Sequence, residues 1–118
     1  MARKRKTGSA PLKPVEFLVL AILKDGPLHG YGIVQEMSSR TDGRISPRPG
    51  DLYRVLYRLD QKGLLAPDER KAICKEERRT CYRITKAGRT VLVSEAEFLK
   101  KMAVEALTGR GGRLAEAT

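Results

Sequence analysis

Between Pro49 and Gly63 the chain reads PGDLYRVLYRLDQKG. Its apolar residues Leu52, Val55, Leu56 and Leu59 fall at the i, i+3, i+4, i+7 spacing of one helix face. Proline suits the first helical position and glycine the residue just past the end. The spacing therefore predicts a helix from Pro49 to Lys62. At about 100° per residue, Arg54, Tyr57, Arg58 and Gln61 point away from the apolar stripe, with Asp51 and Tyr53 on its flanks. The stripe must be buried against other elements. The face left outside is basic and aromatic, which suits duplex DNA: the major groove admits one α-helix, and arginine is the commonest reader of guanine.

The rest of the chain supports a polyanion as partner. Twenty-four lysines and arginines against 14 acids leave a formal charge of +10 over 118 residues. Such a field favours nucleic acid or an anionic membrane surface. Apolar content of 41% beside charged content of 32% fits a single domain with a modest core and a large charged surface. No apolar run reaches the roughly 18 residues that span a bilayer. The stretch Val15–Leu23 is apolar but is closed by Lys24-Asp25-Gly26-Pro27 and lacks a secretory cleavage site, so a cytosolic location is expected. Cys74 and Cys81 make no metal-ligand pattern, and the single histidine, His29, is remote from both. Two reduced thiols are expected, with a redox pair as the alternative if they face each other across a hairpin. With no nucleophile–base pair, metal cluster or phosphate-cradling glycine loop, neither an enzyme nor a cofactor is expected.

Five further segments complete the reading. Residues 1–11 are basic, then small and proline-containing, and read as a flexible arm: either a solvated tail or a contact to phosphate or minor groove. A first helix is expected from Pro14 to Lys24, apolar on most sides and stopped by Asp25-Gly26-Pro27. A second runs from near His29 to Arg40, burying Ile33, Val34 and Met37. Gly30 and Gly32 weaken it, which implies a packing reason, expected as a close helix approach beside Tyr31. His29 is expected to cap or turn the chain rather than to catalyse. After the basic helix, Leu64–Arg70 and Arg79–Thr85 form a hairpin rich in β-prone residues. A last helix spans Lys86–Leu107 with Thr85 as N-cap. Its stripe of Leu92, Ala96, Leu99, Ala103 and Ala106, widened by Phe98 and Met102, is longer than its own domain can cover, which argues for self-association. The fold class is mainly α with a small β-hairpin: a winged helix-turn-helix domain over 12–85, a dimerisation helix over 86–108 and a disordered tail over 109–118.

Four motifs in register carry a resemblance: Leu28-His29-Gly30-Tyr31-Gly32-Ile33, Pro49-Gly50-Asp51-Leu52-Tyr53, Leu56-Tyr57-Arg58-Leu59 followed by Gly63-Leu64-Leu65, and Tyr82-Arg83-Ile84-Thr85-Lys86-Ala87-Gly88. In this order and spacing, over roughly Leu12 to Leu107, the chain resembles the PadR-like transcriptional regulators. The resemblance implies a bacterial or archaeal homodimeric repressor on the nucleoid, in the smaller subgroup with one C-terminal helix. That helix would pack against the partner's first helix. Many such regulators release DNA when a small molecule binds at the dimer interface. Three departures stand out. Asp51 occupies a position where the family has Thr or Ser, so it would repel phosphate but could accept from cytosine N4 or cap the helix. Arg54 replaces a frequent proline. The chain has no tryptophan, which argues against a flat aromatic effector.

Together these readings nominate a DNA-facing set: Tyr31, Pro49, Gly50, Asp51, Tyr53, Arg54, Tyr57, Arg58 and Gln61, with Lys75, Arg78 and Arg79 on the wing. Arg54 and Arg58 are the nominated base readers. Val15, Val19, Leu92, Ala96, Phe98, Leu99, Met102 and Ala106 are nominated for the dimer interface or an effector cavity. The expected partner is a pseudopalindromic operator read by a two-fold dimer. The alternative is a basic architectural protein that binds nucleic acid without strong sequence preference.

Overall fold

The computed structural model describes residues 11–68 and 80–110. Helix α1 (Pro14–Leu23) leads through strand β1 (Leu28–His29) into α2 (Gly30–Arg40). Then follow α3 (Pro49–Gln61), β2 (Leu65–Asp68), β3 (Cys81–Ile84) and the long α4 (Lys86–Leu107). This is a winged helix-turn-helix with an added C-terminal helix. The helix limits follow the expected ones closely because each rests on local cap chemistry. Pro14 and Pro49 open α1 and α3. Gly63, at φ 76°, ends α3 in a Schellman motif: its N–H donates to Asp60 O, and Leu64 N donates to Leu59 O. Only glycine adopts that backbone without strain.

The three helices enclose one core. Val19, Leu20, Ile22 and Leu23 of α1 meet Ile33 and Met37 of α2, and the expected stripe Leu52, Val55, Leu56 and Leu59 of α3. Val34 is only half-buried. The hairpin proves to be part of a three-stranded antiparallel sheet in the order β1-β3-β2. Leu65 opposes Ile84 and Asp68 opposes Cys81, while the short β1 sets Leu28 opposite Tyr82 and His29 opposite Cys81. Pro67 is tolerated because β2 is an edge strand.

Thr85 joins the sheet to α4. Its hydroxyl accepts from Gly88 N (3.0 Å), as an N-cap should. The same hydroxyl donates to Gly63 O (2.6 Å), and Thr85 N donates to Leu64 O (3.1 Å). The start of α4 is thus pinned to the end of α3. Among the described residues no helix is long and apolar enough to cross a membrane.

Two expectations are corrected here. Val19 and Leu92 do not belong to an open face: both are buried in the chain's own core. Helical spacing identifies a face, not which neighbour covers it. Cys81 is not a reduced thiol but disulfide-bonded. Cys74, the one other cysteine in the sequence, lies outside the described residues, as do the first ten and the last eight residues.

Candidate nucleic-acid interface

Helix α3 turns its polar face outward along its whole length. Gly50, Tyr53, Arg54, Tyr57 and Arg58 line a shallow groove of about 360 Å³ on that face. Tyr53 and Tyr57 are 50% and 65% exposed, and Tyr31, from the first turn of α2, is 54% exposed. Three tyrosines thus stand open to solvent on α2 and α3. Pro49, Asp51 and Gln61 are also exposed. The nominated residues of α2 and α3 are therefore all at the surface. Lys75, Arg78 and Arg79 lie outside the described residues. Arg44 and Arg48, exposed in the α2–α3 connection, were not nominated, although their charge and their place just before the helix signal the same face.

The local packing explains the two glycines of α2, though not as expected. A Cβ on Gly30 would stand 2.7 Å from the Tyr53 hydroxyl, so Gly30 makes room for a ring of α3 rather than for a helix beside Tyr31. A Cβ on Gly32 would stand 2.8 Å from the Leu28 side chain. His29 is the N-cap of α2: its Nδ1 accepts from Gly32 N at 3.0 Å. That bond occupies the ring nitrogen a general base would need. Tyr82 sits behind this surface. Burial pushes its phenol above the ordinary tyrosine range, and Tyr53 and Asp60 add to the effect.

The charges on α3 are not independent. Asp51 does not cap the helix, whose N-cap is Arg48; its carboxylate pairs with the Arg54 guanidinium one turn on. Arg58 Nε lies 3.7 Å from Oε2 of Glu16 on α1. Glu16 went unremarked in the sequence, yet it is the single charge in the apolar stretch PVEFLVLAIL of α1. It is 3% exposed, and its Oε1 accepts from Lys13 N (2.9 Å).

A second cleft, of about 410 Å³, lies between the α1–β1 turn and α2. Its charged groups are already engaged: Arg40 bridges Asp25 and Glu36 at 3.0 Å each, and Lys24 also meets Asp25. Lys24 and Arg40 hold the Asp25 carboxyl below its ordinary value. Among the described residues no group of three His, Cys, Asp or Glu side chains could hold a metal ion.

Known proteins share this fold and sequence pattern. Residues 19–94 match the model of the transcriptional regulator PadR-like family. The chain is 36% identical over 96 residues to transcriptional regulator Rv3488 of Mycobacterium tuberculosis, covering 81% of this chain and 85% of that one. It is 38% identical over 87 residues, 74% of its length, to an uncharacterized 37.1 kDa protein in transposon TN4556 of Streptomyces fradiae, of which it spans 23%. The fold superposes on a transcriptional regulator from Clostridium thermocellum with a TM-score of 0.63 at 26% identity, covering 80% of this chain and 90% of the other.

Proposed function

The chain belongs to the PadR-like family of transcriptional regulators, and from that premise we propose that it is a homodimeric repressor that sets α3 into the major groove of a pseudopalindromic operator. One observation carries the reading. The apolar stripe of α3 is sealed in the core, while Tyr53, Arg54 and Tyr57 stand exposed on the opposite side beside Tyr31. A helix held this way can enter a groove without disturbing its own packing. Its N-terminal half leads, as in other helix-turn-helix proteins, and Arg54 is the base reader. Tyr31, Tyr53 and Tyr57 contact phosphate and sugar, which set register without reading sequence.

Dimerisation uses α4. Beyond Glu95 the helix keeps Ala96, Phe98, Leu99, Met102 and Ala106 open to water. This apolar row continues the stripe by which α4 packs on α1, and half-buried Val15 extends it. A second copy would cover it. The dimer then fixes the separation of two α3 helices at about one turn of DNA. A small-molecule effector acts by favouring a dimer whose spacing no longer matches the half-sites. The cytosol, at the nucleoid, is the compartment that this function requires.

The test is fluorescence anisotropy with DNA flanking the protein's own gene and with a scrambled duplex at matched salt. A preference of about a thousandfold or more is expected. Equal affinities would overturn specific repression in favour of the architectural alternative. A footprint on the same DNA should show two half-sites about one helical turn apart.

A further inference from the structure

We propose that Glu16 is a positioning residue of the DNA-binding surface: it holds the Arg58 guanidinium against the protein body, so that Arg58 neither reads a base nor neutralises a phosphate. The inference rests on α3 facing DNA, as proposed above. It revises which of the two α3 arginines the DNA meets.

The geometry is asymmetric. The Glu16 side chain is 4% exposed, whereas that of Arg58 is 44% exposed. A buried carboxylate is costly unless it is paired and hydrogen-bonded. One oxygen of Glu16 is satisfied by Lys13 N. The other has Arg58 as its cation at 3.7 Å, the only ion pair Glu16 makes among the described residues. If Arg58 swung out to a phosphate, that charge would be left buried and uncompensated. A phosphate contact in salt-screened water returns less than the loss of such a partner.

Two placements strengthen the point. The contact is made through Nε, the guanidinium nitrogen nearest the helix backbone, so it restrains the side chain close to its own helix. Arg58 also lies in the third turn of α3, behind Arg54, whereas the first turns of a recognition helix reach the bases. Arg54 is in a different situation. Its side chain is 70% exposed, and its partner Asp51 is itself 53% exposed. An exposed pair of this kind opens at little cost. Arg54 is therefore available to DNA, while Arg58 is committed to the fold. The segment leading into α1 is tied to α4, since the buried Glu95 carboxylate accepts from Leu12 N at 3.0 Å. Glu16 itself links α1 to α3.

The salt dependence of binding decides the matter, because each neutralised phosphate adds about one unit to the slope of log K against log salt. Binding of the full-length protein to a scrambled duplex is measured between about 50 and 200 mM salt. Glu16→Gln keeps an oxygen for Lys13 N but removes the charge that holds Arg58. The released arginine should steepen the slope by about one unit and tighten non-specific binding. Arg58→Gln should leave the wild-type slope unchanged. The double variant Glu16→Gln/Arg58→Gln strands no buried charge, so it serves where either single variant fails to fold, and it too should keep the wild-type slope. A purely structural role for Glu16 would not steepen the slope. A slope flattened by about one unit in Arg58→Gln or in the double variant makes Arg58 a DNA contact and overturns the assignment. So does a folded Glu16→Gln protein with an unchanged slope. If the wild-type protein binds no duplex at all, the DNA-binding reading fails and takes this one with it; a failure confined to the variants overturns this one alone.

Discussion

Replacing Gly88 by alanine tests how α4 is held. An ideal Cβ at Gly88 falls 2.0 Å from the carbonyl oxygen of Leu64 and 2.8 Å from the Ile84 side chain. A carbon–oxygen contact needs roughly 3.3 Å, so α4 or the Gly63–Leu64 backbone must move by more than about 1 Å. That backbone cannot yield freely. Leu64 O accepts from Thr85 N and Gly63 O accepts from the Thr85 hydroxyl. Forced overpacking costs about 1–3 kcal/mol, and loosening these hydrogen bonds adds about 1 kcal/mol. Alanine returns up to about 1 kcal/mol of helix propensity. The net loss should be about 2 kcal/mol, or roughly 8–10 °C in melting temperature for a chain this size. Gly50→Ala is the control, because nothing lies within 4 Å of its Cβ; it should be neutral or slightly stabilising. Thermal denaturation followed by circular dichroism, at one fixed protomer concentration, measures both. A Gly88→Ala protein that melts at or above the wild type would refute the reasoning, since it would mean that α4 does not seat on the Leu64 carbonyl.

Three further outcomes are expected. His29→Ala removes the N-cap of α2 and should cost about 0.5–2 kcal/mol in urea denaturation, whereas His29→Asn should recover most of it; equal losses would show that the cap bond is not what His29 contributes. Gly30→Ala meets the half-exposed Tyr53 ring first, so stability should change by less than about 1 kcal/mol while binding to the DNA flanking its own gene weakens; unaltered binding would remove Tyr53 from the proposed interface. Tyr82 has a raised folded-state value through burial, with Tyr53 and Asp60 contributing, so the folded protein keeps its phenolic proton longer than the unfolded chain does. The stability linked to that proton is fully present below the ordinary tyrosine value of about 10 and is lost as pH rises through the folded value. Tyr82→Phe should flatten this alkaline decline, and a decline as steep as the wild type's would place its cause elsewhere.

Much of the architecture was legible before any coordinates. Proline at the first position of α1 and α3, glycine after α3 and threonine before α4 each act on backbone within a few residues, so element limits could be read from the chain alone. The outward face of α3 was legible for the same reason: helical geometry forces Arg54, Tyr57 and Arg58 opposite Leu52, Val55 and Leu56. Family membership followed from the spacing of four short motifs, and the match over residues 19–94 bears it out.

What the sequence left undecided depends on residues distant along the chain. Strand β1 is two residues long and exists because β3 offers it a second edge. Val19 and Leu92 belong to apolar stripes, but only packing determines that the chain's own core covers them. The state of Cys81 depends on a neighbour that spacing does not specify. The same limit applies to the two arginines of α3. In sequence Arg54 and Arg58 are equivalent residues one turn apart on the same face. In the folded chain one pairs with an exposed acid of its own helix and the other with a buried acid of α1. Periodicity and capping are local and propagate from the backbone, whereas burial, and with it the cost of separating a charge from its partner, is set only once α1 and α3 are packed together.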